Sequence, residues 1–219
     1  MDSGPLALLT ALWALGASGV AALRIGAFNI QSFGDSKVSD PACGSVIAQI
    51  LAGYDVMLVQ EVRDPDLSAV YALMEQINRC AAKKLVLIPL HAAPHQAVAE
   101  IDALYDVYLD VIDKWGTDDM LFLGDFNADC KYVRAQDWAV IRLRSSEVFK
   151  WLIPDSADTT VGNSDCAYDR IVLCGARLRS SLKPMSAAVH DFQEELGLDQ
   201  AQALAISDHF PVEVTFKSH

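Results

Sequence analysis

The sequence predicts an α/β domain, and three observations support this prediction. Short apolar runs such as Leu85–Ile88 and Met120–Leu123 are bounded by turn residues, which is typical of strands buried on both faces. The segment between these two runs has helical spacing, so together they form a strand–helix–strand unit. Polar side chains follow both runs: His91 after the first, and Asp125 and Asn127 after the second. Because open α/β sheets bind ligands at the carboxyl ends of their strands, we expect the site there.

The helix of this unit shows apolar residues at intervals of three and four, with acidic residues largely on the other face. Pro94 lies before it and Gly116 after it, as expected at the two ends of a helix. The pattern predicts that its aromatic residues pack in the core and do not line a cofactor site. The predicted core-facing residues are Val98, Ile101, Leu104, Tyr105, Tyr108, Val111, Ile112 and Trp115.

Further strands and helices are predicted along the chain from the same signals. They are strands at Leu23–Phe28, Asp55–Val59, Ile171–Leu173 and Val212–Phe216, and helices at Ser45–Ala52 and Leu67–Ile77.

Polar residues lie at the ends of six of these predicted strands, and together they suit one chemistry. Carboxylates hold a hard cation, imidazoles move protons near neutral pH, and amides orient phosphate oxygens. Each residue alone has an ordinary structural explanation, such as an Asp–His pair that makes a turn beside a proline. The set as a whole indicates metal-assisted attack of water on a phosphodiester. Its members are Asn29, Glu61, His91, Asp125 with Asn127, Asp169, and Asp208 with His209.

Composition is ordinary for a single globular domain with a sizeable core: 219 residues, 52% hydrophobic and 21% charged. The net charge of −12 argues against a protein that binds a polyanion with its whole surface. A phosphate substrate would therefore need a local basic patch or bound cations.

Residues 1–22 are predicted to be a secretory signal, which leaves a secreted domain at 23–219. An apolar run from Leu6 to Leu15 is followed by small residues that end at Ala22, although Asp2 and the lack of Lys or Arg are atypical. A membrane anchor is the alternative, but the run is short for a span of about 20 residues. An exported chain can form disulfides, and since there are five cysteines, at least one cannot pair internally.

Six motifs, in this order along the chain, resemble those of the endonuclease/exonuclease/phosphatase superfamily, and within it the deoxyribonuclease I family. The resemblance runs from Leu23 to Phe216. It implies a four-layer sandwich of two packed mixed β-sheets flanked by helices. It also implies Mg²⁺- or Ca²⁺-dependent endonucleolysis of DNA by a secreted monomer that makes no use of a membrane. The motifs are Phe28-Asn29-Ile30-Gln31, Val59-Gln60-Glu61-Val62, Pro89-Leu90-His91-Ala92, Gly124-Asp125-Phe126-Asn127-Ala128, Tyr168-Asp169-Arg170-Ile171 and Ser207-Asp208-His209-Phe210-Pro211.

The resemblance also implies a role for each site residue. His209, oriented by Asp169, would be the general base on water, and His91 the general acid for the departing 3′ oxygen. A carboxylate fixes the tautomer of an imidazole and stabilises its charged form, so the Asp–His pairing is chemically reasonable. Glu61 would hold the catalytic Mg²⁺. The metal and phosphate site would be completed by Asn29, Asp125, Asn127 and Asp208.

Other residues match peripheral features of the family. Arg63 and Tyr132 would contact the DNA backbone, and Asp158 and Thr160 match a structural calcium loop. Cys130 and Cys166 match the disulfide that the family retains. The cysteines left over are Cys43, Cys80 and Cys174.

The chain departs from the family near residues 78–84, where an internal block is missing. Family members carry several dozen further residues between the helix matching Leu67–Ile77 and the strand matching Leu85–Leu90. That block includes core strands, a minor-groove-binding loop and the glutamate that pairs with the histidine matching His91. We therefore expect His91 to lack its carboxylate partner and some sheet edges to be unpaired.

The sequence is consistent with two functional classes. The first is a secreted nuclease that is impaired by the missing segment. The second is a catalytically inactive splice-type variant that acts at most as a binding module. Other phosphodiesterases of the superfamily share the metal motifs, but the leader speaks against a nuclear repair enzyme and no lipid-binding apolar insertion is visible.

Overall fold

The computed structural model describes residues 9–14, 22–63 and 85–217. Within these ranges the chain forms two mixed β-sheets with helices on their outer faces, which confirms the predicted α/β sandwich. The helix predicted at Leu67–Ile77, Cys80 and the expected deletion near 78–84 all lie outside the described residues.

Nine strands and seven α-helices are described, with a 3-10 helix at Asp137–Val140. The strands are β1 (Leu9–Ala14), β2 (Leu23–Phe33), β3 (Val56–Val62), β4 (Val86–Pro89), β5 (Met120–Asp125), β6 (Lys150–Trp151), β7 (Asp169–Cys174), β8 (Ala188–Val189) and β9 (Val212–Phe216). The helices are α1 (Asp35–Val38), α2 (Pro41–Ala52), α3 (Ala97–Trp115), α4 (Arg142–Ser145), α5 (Ala176–Ser181), α6 (Phe192–Glu195) and α7 (Gln200–Ile206).

The first sheet has the strand order β1-β3-β2-β9-β8. Strands β2 and β3 are parallel, with Phe28 opposite Val59, and the other pairs are antiparallel. Strand β1, which lies inside the predicted leader, pairs antiparallel with β3 from Leu9 opposite Val62 to Ala14 opposite Val56. The described part of the predicted signal, residues 9–14, therefore forms an edge of this sheet.

The second sheet has the strand order β4-β5-β7-β6. Strands β4 and β5 are parallel and connected through α3, which confirms the predicted strand–helix–strand unit. Strand β7 runs antiparallel to β5, so Asp169 at its start lies opposite Asp125 at the end of β5. This pairing brings two carboxylates from distant parts of the chain to one edge.

The two sheets pack face to face through a core of aliphatic residues from both. Ile25, Leu58 and Val214 of the first sheet belong to one apolar cluster with Leu121 and Leu173 of the second, and all five are buried. A second apolar cluster lies between the first sheet and helices α2, α6 and α7, and a third lies between the second sheet and α3. These clusters make the outer layers of the sandwich.

Helix α3 confirms most of the predicted apolar face. It ends where Gly116 adopts a left-handed conformation, φ 65°, and donates its N–H to the carbonyl of Ile112. Ile101 and Val111 are buried, but Trp115 is 66% exposed, so the prediction of a core position for Trp115 is wrong. The apolar spacing continues to the last residue of the helix, Trp115, whereas the core that covers the apolar face ends about one turn earlier, near Val111.

Two strands are longer than the sequence indicates. Strand β2 continues to Phe33 and β3 to Val62, so Asn29 and Glu61 lie inside strands and not after them. Between the pairs Asn29–Gln60 and Phe33–Val62 the register shifts, and β2 bulges. Among the described residues, no helix has both the length and the apolar character needed to span a bilayer.

Candidate active site

Asp125 lies at the centre of the predicted polar residues. It ends the buried strand β5 and is 2% exposed. Its Oδ2 accepts a hydrogen bond from Asn29 Nδ2 at 3.1 Å, and lies 3.6 Å from His91 Nε2 and 3.8 Å from His209 Nε2. One carboxylate oxygen therefore faces an amide and two imidazoles that come from three other segments of the chain.

The backbone around Asp125 is held by Gln60, a residue whose role the sequence did not predict. Gln60 Oε1 accepts the N–H of Asp125 at 2.9 Å, and its Nε2 donates to the carbonyl of Leu90 at 2.7 Å. Gly124 has φ 129°, and a Cβ at this position would lie 2.3 Å from the Leu90 carbonyl oxygen. This close approach requires glycine. Gln60 of the first sheet thus fixes the site end of the second sheet.

Asp169 and His209 form a hydrogen-bonded pair beside Asp125. His209 Nδ1 lies 2.7 Å from Asp169 Oδ2, and Asp169 is fully buried. The loop that carries His209 is held by Ser207, whose hydroxyl donates to the carbonyl of Asn29 at 2.6 Å and accepts the N–H of His209 at 3.0 Å. This arrangement confines the proton on Nδ1 to Asp169 and turns Nε2 toward Asp125.

The charges in this cluster shift two pKa values. Burial alone would lower the pKa of His209, but the charge and hydrogen bond of Asp169, with the charges of Asp125 and Asp208, raise it to about 10. Burial, followed by the charge of Asp169, raises the pKa of Asp125 to about 6, although both imidazoles act in the opposite direction. The buried carboxylates therefore carry more negative charge than their surroundings balance.

The donor set beside these carboxylates fits a hard divalent cation. Oxygen and imidazole ligands from Asp125, Asp169 and His209 lie within 4.8 Å of one another. The Oδ1 of Asn29 is buried and has no hydrogen-bond partner among the described residues, so it is free to act as a ligand. Glu61 Oε1 lies 3.5 Å from Asn29 Nδ2. Carboxylate and amide oxygens of this kind are the ligands that Mg²⁺ and Ca²⁺ prefer.

Local backbone geometry directs Glu61 into this group. Ser32, at the bulge of β2, and Glu61, in β3, both have left-handed conformations, with φ of 53° and 59°. Ser32 donates its N–H to Glu61 Oε2 at 3.0 Å, which fixes the carboxylate. Non-glycine residues with positive φ are uncommon and concentrate at functional sites. Asp208, on the other side, accepts a hydrogen bond from Gln31 at 3.2 Å.

Asn127 and His91 lie next to each other at the ends of β5 and β4. Asn127 donates its N–H to Asp125 Oδ1 at 2.9 Å and its Nδ2 to the carbonyl of Ala92 at 2.9 Å, so it braces the two loops. The Nδ1 of His91 is buried and has no hydrogen-bond partner among the described residues. The expectation that His91 lacks its carboxylate partner stays a prediction, since residues 64–84 lie outside the described part of the chain and Nε2 of the same ring lies 3.6 Å from Asp125 Oδ2.

Arg63 and Tyr132 lie outside this cluster. Arg63 is exposed just after β3, and its backbone N–H donates to the carbonyl of Phe33. The ring of Tyr132 lies 5.5 Å from that of Tyr168, which in turn lies 6.2 Å from the ring of His209. A row of aromatic rings therefore leads from Tyr132 to the imidazole of the pair.

The disulfide Cys130–Cys166 is present and connects the loop after β5 to the segment before β7. Cys43 and Cys174 are free. Asp158 also lies in the loop before β7, where its Oδ1 and the Ser164 carbonyl lie 2.7 and 2.8 Å from Thr160 Oγ1. Asp158 Oδ1 also accepts the N–H of Thr160 at 2.9 Å, and oxygen atoms of Asp158, Thr160 and Ser164 therefore lie close together in this loop.

Comparison with known proteins assigns the family. The sequence model of the Endonuclease/Exonuclease/phosphatase family matches residues 26–209. The chain belongs to this family. It is 65% identical to human Deoxyribonuclease-1-like 2, over 99% of both chains, and 44% identical to chicken Deoxyribonuclease-1, over 90% of this chain and 93% of that one.

The alignment with the human relative runs over 296 residues, 77 more than the 219 of this chain, so at least 77 of its positions have no residue here. Among solved structures, a humanized TDP2 of D. rerio matches with a TM-score of 0.60 at 17% identity, over 90% of this chain and 99% of that one. The endonuclease domain of the retrotransposon TRAS1 matches with a TM-score of 0.56 at 12% identity, over the same two shares. These likenesses confirm the fold.

Proposed function

We propose that this chain is a divalent-metal-dependent endonuclease that hydrolyses phosphodiester bonds of DNA, at a rate reduced by a missing internal segment. The observation that carries the proposal is the Asp169–His209 hydrogen bond of 2.7 Å, placed so that His209 Nε2 faces Asp125. An imidazole oriented by a buried carboxylate is suited to take a proton from water. The names of the deoxyribonuclease relatives support DNA as the substrate.

The metal site would be formed by the oxygen ligands of Asn29, Glu61, Asp125 and Asp208, with Mg²⁺ as the catalytic ion. When bound, the ion supplies Lewis-acid stabilisation of the charge that develops on the phosphate. Two observations support this assignment, because both are explained by a ligand role: Oδ1 of Asn29 has no hydrogen-bond partner among the residues described, and the pKa of Asp125 is raised.

His209 would act as the general base and His91 as the general acid. With a pKa of about 10, His209 is protonated at neutral pH. It can act as a base only when the negative charge of the nearby carboxylates is neutralised, because that charge raises its pKa. His91 Nε2, 3.6 Å from Asp125 Oδ2, is placed to give a proton to the leaving 3′ oxygen of a phosphodiester held beside the site. Asp169 keeps the tautomer of His209, and Asn127 holds Asp125 and the His91 loop in place.

DNA would contact a surface next to this site that includes Arg63 and Tyr132. Arg63 is exposed, and the ammonium of Lys131 lies 5.1 Å from the ring of Tyr132. Since the whole chain carries a charge of −12, affinity for DNA would depend on such local cations and on bound metal. Ca²⁺ would bind separately at Asp158, where the closeness of its carboxylate to the Thr160 hydroxyl and the Ser164 carbonyl supports a structural ion.

We further propose that the chain is secreted as a monomer after removal of a leader at residues 1–22. The disulfide Cys130–Cys166 supports an oxidising destination. Removal of such a leader would take away strand β1 and leave the edge of β3 unpaired. The 77 or more alignment positions that have no residue in this chain support the proposal that an internal block is missing.

An inactive variant, acting at most as a binding module, is the second candidate. The Nδ1 of His91, which has no hydrogen-bond partner in the part of the chain that the structure describes, favours it, because a general acid needs a group that sets its orientation and charge.

Conversion of supercoiled plasmid to nicked circles separates the two candidates. The protein should nick in Mg²⁺ with Ca²⁺, stop in EDTA, and lose the activity in His209→Ala. A folded protein that does not nick in any of these metals would support the binding module. Persistent metal-dependent nicking by His209→Ala would move the base to another residue.

A further inference from the structure

Thr159 has a buried hydroxyl that contacts the backbone next to Asp169. It lies in the loop between β6 and β7 and is fully buried. Its Oγ1 accepts the N–H of Tyr168 at 3.0 Å and the N–H of Asp169 at 3.1 Å, and it donates to the carbonyl of Cys166 at 3.2 Å. One side chain therefore satisfies two consecutive N–H groups at the start of β7.

The backbone of the same segment holds the other half of the pair. The carbonyl of Thr159 accepts the N–H of Phe210 at 2.8 Å, and Thr160 forms an antiparallel bridge with His209. One residue further, Val161 donates its N–H to the carbonyl of Asp208 at 2.8 Å. The segment from Thr159 to Val161 thus lies between the chain that carries Asp169 and the chain that carries His209.

The carboxylate of Asp169 has few other constraints. Its Oδ2 bonds to His209, but its Oδ1 is buried and has no hydrogen-bond partner among the described residues. A carboxylate held by a single hydrogen bond takes its direction from its backbone. That backbone is fixed on one side by the ladder with β5 and on the other by the hydroxyl of Thr159.

We propose that Thr159 is a positioning residue for the Asp169–His209 pair. Its hydroxyl fixes the backbone of Asp169 while its carbonyl fixes the loop of His209, and so it sets the distance and direction of the hydrogen bond between them. The inference rests on the proposed function, in which this pair activates water. Small displacements of such a pair are costly, since about 1 Å of misplacement can lower a rate roughly 10²-fold.

Two substitutions separate positioning from simple filling of the core. Thr159→Val keeps the β-branched shape but removes the hydroxyl, which leaves two buried N–H groups without a partner. Thr159→Ser keeps the hydroxyl and loses a methyl group. A matched control is Ser181→Ala, because Ser181 is also buried, donates its hydroxyl to the carbonyl of Leu178 at 2.9 Å, and belongs to helix α5.

The experiment measures kcat and KM for DNA cleavage in Mg²⁺, well below the melting temperature of every variant. Thr159→Val should lower kcat about 10- to 100-fold with KM within about twofold. Thr159→Ser should stay within about threefold of the parent, and Ser181→Ala should match it. The proton in the Asp169–His209 hydrogen bond, followed by proton NMR, should shift in Thr159→Val and keep its position in Thr159→Ser.

Three results would overturn the inference: unchanged kcat in folded Thr159→Val, an equal loss in Ser181→Ala, or no rescue by serine. If Thr159→Val and Thr159→Ala both fail to fold, Thr159 is an ordinary structural residue and the inference is wrong. His209→Ala is measured in parallel. If it cleaves DNA as fast as the parent, the proposed base is wrong, while the NMR signal still reports whether Thr159 positions the pair.

Discussion

The metal-free protein should lose stability as pH rises through the range in which His209 titrates. The pKa of His209 is raised from 6.5 to about 10 in the folded chain, so the folded state binds more protons than the unfolded state between these values. Stability from this group is therefore fully present below pH 6.5 and lost as pH approaches 10. A shift of this size sets an upper limit of roughly 4 to 5 kcal/mol.

The net effect should be smaller, because His209 shares its charge environment with Asp125. The pKa of Asp125 is itself raised, from 3.8 to about 6, so this group loses its contribution earlier, as pH rises through 6. Ionised Asp125 favours charged His209, and the two titrations overlap. We expect a loss of about 2 kcal/mol between pH 6.5 and 9.5, which corresponds to a decrease of about 4–8 °C in melting temperature.

Thermal melts in EDTA at several pH values, on the parent and on His209→Gln, measure this effect. The comparison is needed because tyrosines, lysines and thiols also titrate near pH 10. The parent should lose stability with pH, and His209→Gln should lose most of that slope. Equal slopes in the two proteins, or a parent that gains stability over this range, would show that the Asp169–His209 pair does not hold a proton as the structure indicates.

Three further substitutions test the site. Glu61→Gln should weaken Mg²⁺ binding at least about tenfold by calorimetry, while its melting temperature without metal stays close to that of the metal-free parent. Equal Mg²⁺ affinity in the two proteins would show that Glu61 is not a ligand. Gly124→Ala should lower the free energy of unfolding in urea by about 3 kcal/mol or more, because the new Cβ would lie 2.3 Å from the Leu90 carbonyl oxygen. Gly162→Ala is the control for backbone strain alone, since Gly162 has φ 141° and no atom of the described residues lies within 4 Å of its Cβ position. Asp158→Ala should abolish the increase in melting temperature that Ca²⁺ produces in the parent, and an undiminished increase would place that ion elsewhere.

Much of the site could be predicted from the sequence, because strand periodicity determines where polar residues gather. The positions of His91, Asp125 and Asp169 follow from apolar runs that stop at one edge. The continuation of β2 and β3 past Asn29 and Glu61 could not be predicted, since it depends on a register shift between the two strands.

The contacts of Gln60 and Thr159 could not be predicted from the sequence either. Gln60 bonds to the backbone of Leu90 and Asp125, and Thr159 to the backbone of Tyr168 and Asp169. A side chain that bonds to backbone groups does not depend on the residue type of its partner, so the sequence does not show the pairing. Trp115 was misplaced for a related reason, because helical spacing does not show where a covering surface ends.

Side-by-side nicking of supercoiled plasmid by this chain and by human Deoxyribonuclease-1-like 2 tests the central claim most directly. Both proteins are compared at equal concentration in Mg²⁺ and Ca²⁺, with folding checked by a cooperative thermal melt. We predict nicking that EDTA abolishes and that is at least about 100-fold slower than that of the relative, because the Nδ1 of His91 has no hydrogen-bond partner among the described residues. A rate within a fewfold of the relative, or no metal-dependent nicking by the folded chain, would contradict this account.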